Sequence, residues 1–232
     1  MTQSGWSIER IFGITMERIN NLHNAPRASG PTPAHEPEFQ KFKRFLFLLR
    51  TMQLEGLIEI GPSLDPQSSG LVVLLKTDAK HQAIVDEIRT LLEVVHKEQS
   101  NQFTISTNFL DTRESQWNVR VRSIAGVLFY LSQNIAIPPE HVESGLVTIT
   151  QTPEATPFDW SDTPAGKVFK IMPSTSKPDN AFIAIPYRGT WFFIQDNDSE
   201  SKSTFMLLRQ LFNLQAGQAK TSGPRLTLPV GR

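Results

Sequence analysis

The sequence contains no cysteine among its 232 residues. This absence excludes disulfide bonds, cysteine-ligated zinc, iron–sulfur clusters and thiol nucleophiles. Histidine is also scarce, because the chain has only five and none of them lies four residues from another. A histidine-rich metal cage is therefore hard to build. We expect neither a bound metal nor a cofactor.

An excess of charge of one sign and a long apolar run are also missing. Basic and acidic side chains number 23 each, so the chain lacks the basic balance of a dedicated nucleic-acid binder. No apolar run approaches the roughly 18 residues of a membrane-spanning helix. The first residues lack the basic and apolar regions of a signal peptide. We therefore expect a cytoplasmic protein without a transmembrane segment, and the sequence disfavours nucleic acid as a partner.

The residues that are present predict a folded α+β protein. Apolar residues make up 39% of the chain and charged residues 20%, a composition that supports an ordinary hydrophobic core. Stretches with helical spacing occur beside stretches in which apolar and polar residues alternate. We predict a helical N-terminal part with a small mixed sheet. The C-terminal part is predicted to be an antiparallel sheet with a helix packed across one face.

A proline-rich stretch predicts the main boundary of the chain. Residues 25–37 contain four prolines, a composition typical of a linker or an exposed loop. We therefore predict a first unit at residues 1–36, in which a helix over residues 8–19 is docked separately. Residues 37–140 and 141–232 form the other two regions, which we expect to make one body.

Periodicity and turn residues predict the individual elements. The strands predicted at residues 103–107 and 117–121 form a hairpin around residues 111–115, and a later hairpin turns at Tyr187-Arg188-Gly189. Predicted helices cover about residues 37–55, 78–95, 124–134 and 203–216. Predicted strands cover residues 57–60, 71–76, 103–107, 117–121, 146–150, 168–172, 182–186, 190–194 and 226–230.

Two blocks of sequence in the second half resemble known sequences. One is Arg122–Gln133, and the other runs from Tyr187 to Ile194 and on through Ser201–Phe205 to Leu211–Gln215. They are similar to blocks in a group of uncharacterised bacterial proteins with no known activity, and the resemblance covers roughly residues 117–230. It implies a bacterial origin and assigns no catalytic residue.

One short pattern is that of a metal-dependent nuclease. Asp179 is followed by Glu200 and Lys202, which matches in outline an Asp…Glu-x-Lys motif in which carboxylates hold Mg²⁺ and the lysine positions a water. The predicted context does not fit, because Asp179 precedes a strand and the other two residues stand in a turn before a helix. Acidic residues at a helix start are also expected from the helix dipole.

A second alternative comes from basic residues on the helix predicted at residues 37–55. Lys41, Lys43, Arg44 and Arg50 precede a predicted hairpin, an order typical of a winged-helix DNA-binding module. The other interpretation is a phenylalanine-rich core helix with a solvated basic edge.

The remaining feature is the strand that contains Trp191, Phe192 and Phe193. Alternation places Trp191 and Phe193 on one face, where they are predicted to pack under the helix at residues 203–216. The alternative is that Trp191, with Arg188 in the neighbouring turn, binds another protein. With no catalytic constellation recognised, the predicted function is a non-enzymatic interaction or scaffold protein of a bacterial multi-protein system. A metal-dependent nuclease and a winged-helix module are the alternatives.

Overall fold

The computed structural model describes residues 6–26, 36–63, 70–94, 101–108 and 116–221, with side chains as far as residue 216. It confirms the α+β class, because a six-stranded mixed sheet and a three-stranded antiparallel sheet are combined with helices. The helices are α1 (Ile8–Thr15), α2 (Gln40–Leu54), α3 (Gln82–Leu92), α4 (Ile124–Ser132), α5 (Pro139–Glu143) and α6 (Ser199–Thr221). The strands are β1 (Met16–Ile19), β2 (Leu22–His23), β3 (Ile58–Pro62), β4 (Leu71–Leu75), β5 (Gln102–Ser106), β6 (Gln116–Val121), β7 (Met172–Ser174), β8 (Ala181–Tyr187) and β9 (Thr190–Gln195).

The larger sheet has the strand order β2-β1-β6-β5-β4-β3. An aromatic cluster forms its core, in which the Trp117 ring stacks on Phe103 at 5.2 Å between centroids and meets the edge of Phe45 at 5.6 Å. Phe45 belongs to the buried face of α2, together with Phe42 and Leu49. The predicted stripe of α2 therefore packs on the sheet, as helical spacing of apolar residues dictates.

The N-terminal segment, residues 6–26, is part of this core. The proline-rich stretch that follows it predicts a separately docked arm, and the structure differs from that prediction. The first helix ends at Thr15, and the chain continues directly into β1, which pairs with β6 in the middle of the sheet. Ile14 and Ile19 are fully buried. Ile19 lies four residues after Thr15, a spacing that fits a helix, and the sequence therefore predicts that the helix extends to it. In the structure Ile19 belongs to β1. The outer domain boundaries remain a prediction.

A buried polar cluster fixes the same segment to α4. Asn24 donates to the carbonyls of Gly13 and Met16 at 2.8 and 2.7 Å, and its amide oxygen accepts from the Tyr130 hydroxyl at 3.0 Å. The Arg122 guanidinium lies 4.0 Å from the centre of the Tyr130 ring and donates to the Met16 carbonyl at 2.5 Å. Desolvation lowers the pKa of Arg122 and raises that of Tyr130. Buried polar groups whose hydrogen bonds are satisfied favour a single packing arrangement, so this cluster fixes the position of the N-terminal segment on α4.

The predicted hairpin around residues 111–115 is wrong. Both strands exist, but β5 and β6 are parallel, with Ile105 opposite Trp117. The antiparallel neighbour of β6 is β1. Alternation reveals that a segment is a strand without revealing its direction, which is why the sequence pattern missed this. Residues 109–115 lie outside the described part of the chain. The predicted hairpin of β3 and β4 is confirmed, with Ile60 opposite Val73.

The smaller sheet has the order β7-β9-β8 and is antiparallel throughout. Its β8–β9 hairpin is confirmed. The strand predicted at residues 168–172 is displaced, because β7 begins only at Met172, and residues 146–150 form no strand. The strand predicted at residues 226–230 lies outside the described residues. Leu128 of α4 is 42% exposed, so that helix is not enclosed on all sides.

Helix α6 packs through small polar residues as well as leucines. Ser201, Thr204 and Leu207 are almost completely buried at helical spacing, whereas Phe212 is 54% exposed. Thr204 donates to the Val168 carbonyl at 2.6 Å, and the Ser201 hydroxyl accepts from the Lys170 amide at 2.8 Å. These bonds satisfy backbone groups of a loop, the Val168 carbonyl and the Lys170 amide, which do not belong to a strand ladder. None of the helices in the described residues is long and apolar enough to cross a membrane.

Candidate functional site

The residues of the nuclease pattern are separately engaged in the structure. Glu200 forms an ion pair with Arg10 of α1. Lys202 donates to the side chain and the carbonyl of Asp196 at 2.8 and 2.9 Å. Asp179 is exposed in the turn before β8. No group of three histidine, aspartate or glutamate side chains that could hold a metal occurs in the described residues, so the geometry gives the nuclease pattern no support.

The acidic turn before α6 has a structural explanation. Asp198 accepts from the Ser201 amide at 2.9 Å and from its hydroxyl at 2.6 Å, which is the geometry of a helix cap. Glu200 stands in the first turn of the helix, where a negative charge is favoured by the helix dipole. The carboxylates here stabilise the start of α6 and its contact with α1.

Two of the four basic residues of α2 bridge to other elements. Lys43 binds Asp162 of the 3₁₀-helix Trp160–Asp162 at 2.5 Å, and Arg44 makes two bonds to Glu87 of α3 at 2.7 and 2.8 Å. The bonded cations lower the pKa of both carboxyls. Arg50 donates to Gln53 at 2.7 Å, and Lys41 is exposed.

The hairpin after α2 does not form a free wing. Strand β3 pairs with β4, which in turn pairs with β5 inside the six-stranded sheet. A winged-helix module needs a projecting hairpin beside the recognition helix. The described residues, which leave out 64–69 between these two strands, thus place β3 and β4 in the larger sheet, and Lys43 and Arg44 of α2 are already paired with carboxylates. This arrangement gives the winged-helix alternative no support.

The β8–β9 hairpin has an unusual exposed end. Arg188 and Gly189 form its two-residue turn with φ of 50° and 78°, and Tyr187 pairs with Thr190 on either side. Both φ values are those of a type I′ turn, whose twist matches the hairpin. The Arg188 guanidinium lies 5.2 Å from the centre of the Tyr187 ring, so the turn presents an aromatic ring with a cation above it.

Strand β8 is the other part of this surface. Ile185 and Tyr187 point to the same face and are each 57% exposed. We call Ile185, Tyr187 and Arg188 the hairpin patch. Among the described residues, β8 is an edge strand that pairs with β9 alone. The sequence pattern indicated Arg188 but not the two apolar residues. The signal for them is that residues 181–187 contain no charge.

Trp191 is neither in the core nor in the hairpin patch. Its ring is half-buried, and the Lys177 ammonium lies 5.9 Å from its centre. The residue of β9 that joins the core is Ile194, while α6 meets the sheet through Phe205, whose ring lies 5.9 Å from that of Phe182 on β8. The contact between α6 and the smaller sheet that the rings show is therefore made by Phe205 and Phe182, and the contact of Trp191 and Phe193 with α6 stays a prediction.

Neither a known protein family, nor a curated protein, nor a solved structure matches the chain. The resemblance predicted over residues 117–230 accordingly stays a prediction.

Proposed function

We propose that this chain is a non-enzymatic interaction or scaffold protein of a bacterial multi-protein system, and that it binds another protein through the hairpin patch and the free edge of β8. The observation that carries the proposal is the combination of an exposed apolar surface with an edge strand that lacks charge. The proposed compartment is the cytoplasm. A chain without cysteine cannot form the disulfide bonds that stabilise many proteins in oxidising compartments.

The exposed end of the hairpin supports a protein partner. Aromatic, aliphatic and arginine side chains together are typical of the centre of protein interfaces. Tyr187 offers a large ring whose rotamers are few, and Ile185 extends the apolar area beside it. Arg188 adds a positive charge at the rim, so the partner segment should combine apolar residues with an acidic one.

The free edge supports the same partner class. An edge strand is usually protected by lysine, glutamate or proline, and β8 contains only Pro186. In a two-residue hairpin the residues beside the turn exchange hydrogen bonds, and the pattern then alternates along the ladder. The Ala184 amide N–H therefore points to the free edge. The backbone nitrogen of Pro186 also faces this edge, but proline has no N–H to donate. An extended segment can pair with β8 at Ala184.

The test compares two equally exposed aromatic residues on different surfaces. Tyr187→Ser changes the patch, and Phe47→Ser changes a ring on α2 that is 58% exposed. A partner captured from the source cells is purified, and its affinity is measured by calorimetry. We expect Tyr187→Ser to weaken binding about tenfold or more and Phe47→Ser to leave it unchanged. Equal effects of both changes, or self-association through β8 in place of a different partner, would contradict the proposal.

A further inference from the structure

His81 is a buried titratable residue that lies between two carboxylates. Its side chain is 7% exposed. The Nδ1 atom of the ring lies 2.7 Å from the Oδ1 atom of Asp78, and the Nε2 atom lies 2.6 Å from the Oε2 atom of Glu55. Asp78 stands just ahead of α3, whereas Glu55 follows the last residue of α2. The ring of His81 therefore connects the end of one helix with the start of the other.

These two short contacts determine how many protons the ring carries. A neutral imidazole has one N–H, and its other nitrogen is an acceptor. Whichever nitrogen holds the single proton, an acceptor nitrogen then faces a carboxylate oxygen at 2.6 or 2.7 Å, and that contact is repulsive. Within the described residues the Nε2 atom makes no aligned hydrogen bond, so its contact with Glu55 depends on the charge of the ring. Only the imidazolium is attracted to both carboxylates at once.

The charged groups around the ring differ in how much they depend on its proton. The Asp78 carboxylate also accepts from the backbone amides of Lys80 and His81 at 2.9 and 3.0 Å, so it stays in place without the charge of the ring. The Lys80 ammonium lies 3.3 Å from the same Glu55 oxygen and offers that carboxylate a second partner. The Lys80 ammonium and the His81 ring lower the pKa of Glu55, and the His81 ring lowers that of Asp78. Of the contacts that the ring makes, the one with Glu55 is therefore the one that its proton decides.

Loss of the proton releases one contact and keeps the other. A neutral ring retains its remaining proton on Nδ1, where the hydrogen bond to Asp78 is aligned, and its Nε2 atom then repels Glu55. We propose that His81 is a proton-operated clamp: the imidazolium holds the start of α3 against the end of α2, and release of the proton to solvent loosens that contact. Because histidine changes its charge between about pH 5 and pH 8, the clamp responds to pH near neutrality. It is independent of the hairpin patch and of the proposed protein partner.

The pH dependence of stability tests the clamp in the full chain. A folded protein that holds the imidazolium binds more protons near neutral pH than the unfolded chain, so its free energy of unfolding decreases as the pH rises. We expect the unfolding equilibrium constant, measured by urea denaturation, to rise about three- to tenfold between about pH 6 and pH 9.

Two isosteric changes locate the source of this rise. Glu55→Gln removes the charge that the imidazolium pairs with, so it should abolish most of the rise. Glu59→Gln is the matched control, because it removes the same charge from an exposed ion pair with Lys76 on β3, and it should keep the rise. Equal rises in the two variants, or no rise in the parent, would overturn the proposal.

NMR measures the charge of the ring and the response of the helix separately. Long-range proton–nitrogen spectra distinguish an imidazolium from a neutral imidazole, and at about pH 7 they should show His81 as the imidazolium in the parent. The first turn of α3 reports the loosening, since its Val85 amide donates to the His81 carbonyl at 3.2 Å. Hydrogen exchange of this amide, corrected for the direct effect of pH on exchange, should accelerate between about pH 6 and pH 8 in the parent but not in Glu55→Gln. A neutral His81 ring at about pH 7, or a corrected exchange rate that does not change with pH, would refute the clamp.

Discussion

Truncation of one side chain in the first helix should destabilise the whole protein. Ile14 of α1 is fully buried, and the helix packs against α2 and α4. Replacing a buried isoleucine by alanine removes apolar contacts and leaves a cavity, at a cost of about 2–5 kcal/mol. Because whole domains are stable by only about 5–15 kcal/mol, Ile14→Ala should lower the urea midpoint clearly. Far-UV circular dichroism follows the transition.

Leu54→Ala is the matched control for this change. It removes a side chain of the same size from the end of α2, where Leu54 is 70% exposed. Surface substitutions change the unfolding free energy by less than about 0.5 kcal/mol, so this variant should unfold like the parent. If Ile14→Ala also costs less than about 1 kcal/mol, α1 is a separable arm and our reasoning from burial is wrong.

Deletion of residues 1–35 extends the same test. It removes β1 and β2 and thereby exposes the edge of β6, and it also takes away the partners of Arg122. Eight buried apolar residues are lost with it: Ile8, Ile11, Phe12, Ile14, Met16, Ile19, Leu22 and Ala25. Their combined contribution exceeds the stability of an ordinary domain. We expect no cooperative transition, and a cooperative melt of the shortened chain would refute the packing described.

Three further predictions concern stability. Tyr130→Phe should cost about 1–3 kcal/mol in urea denaturation, because the buried amide oxygen of Asn24 loses its donor; an unchanged midpoint would contradict the polar cluster. Gly166→Ala should lower the melting temperature by more than Gly126→Ala, since a Cβ at Gly166 meets backbone at 2.5 Å and one at Gly126 meets side chains at 3.4 Å; equal melts would count against the close approach. The free energy of unfolding should fall as the pH drops below about 4. A carboxyl whose pKa is lower in the folded than in the unfolded protein stabilises the fold at pH values above its unfolded pKa. That contribution is lost as the pH falls through the folded pKa. Denaturation series between about pH 5 and pH 2 check this, and a flat profile would contradict it; the carboxyls with lowered pKa are Glu55, Asp78, Glu87 and Asp162.

Local signals predicted several elements correctly. The helix predicted at residues 124–134 begins where expected, and the hydroxyl of the preceding Ser123 accepts from the Gly126 amide at 3.1 Å. Gly189 indicated the hairpin turn, where φ is positive. Both predictions succeeded because the physical cause lies within a few residues of the signal.

Long-range arrangements could not be predicted in this way. The parallel pairing of β5 with β6 depends on β1, which lies about one hundred residues earlier in the chain. Only part of the buried face of α6 was missed, because Ser201 and Thr204 are polar in isolation and become suitable for burial only when loop carbonyls and amides bind them.

The exchange of the Ala184 backbone amide with deuterium tests the proposed function most directly. In the free protein this amide points to the open edge of β8, so it should exchange quickly, while amides bonded to β9 exchange slowly. In a complex with the purified partner, the Ala184 amide should become protected, because an added strand binds it. NMR resolves the two sets of amides. Protection elsewhere, with Ala184 exchanging as fast as in the free protein, would show that the partner does not bind at β8.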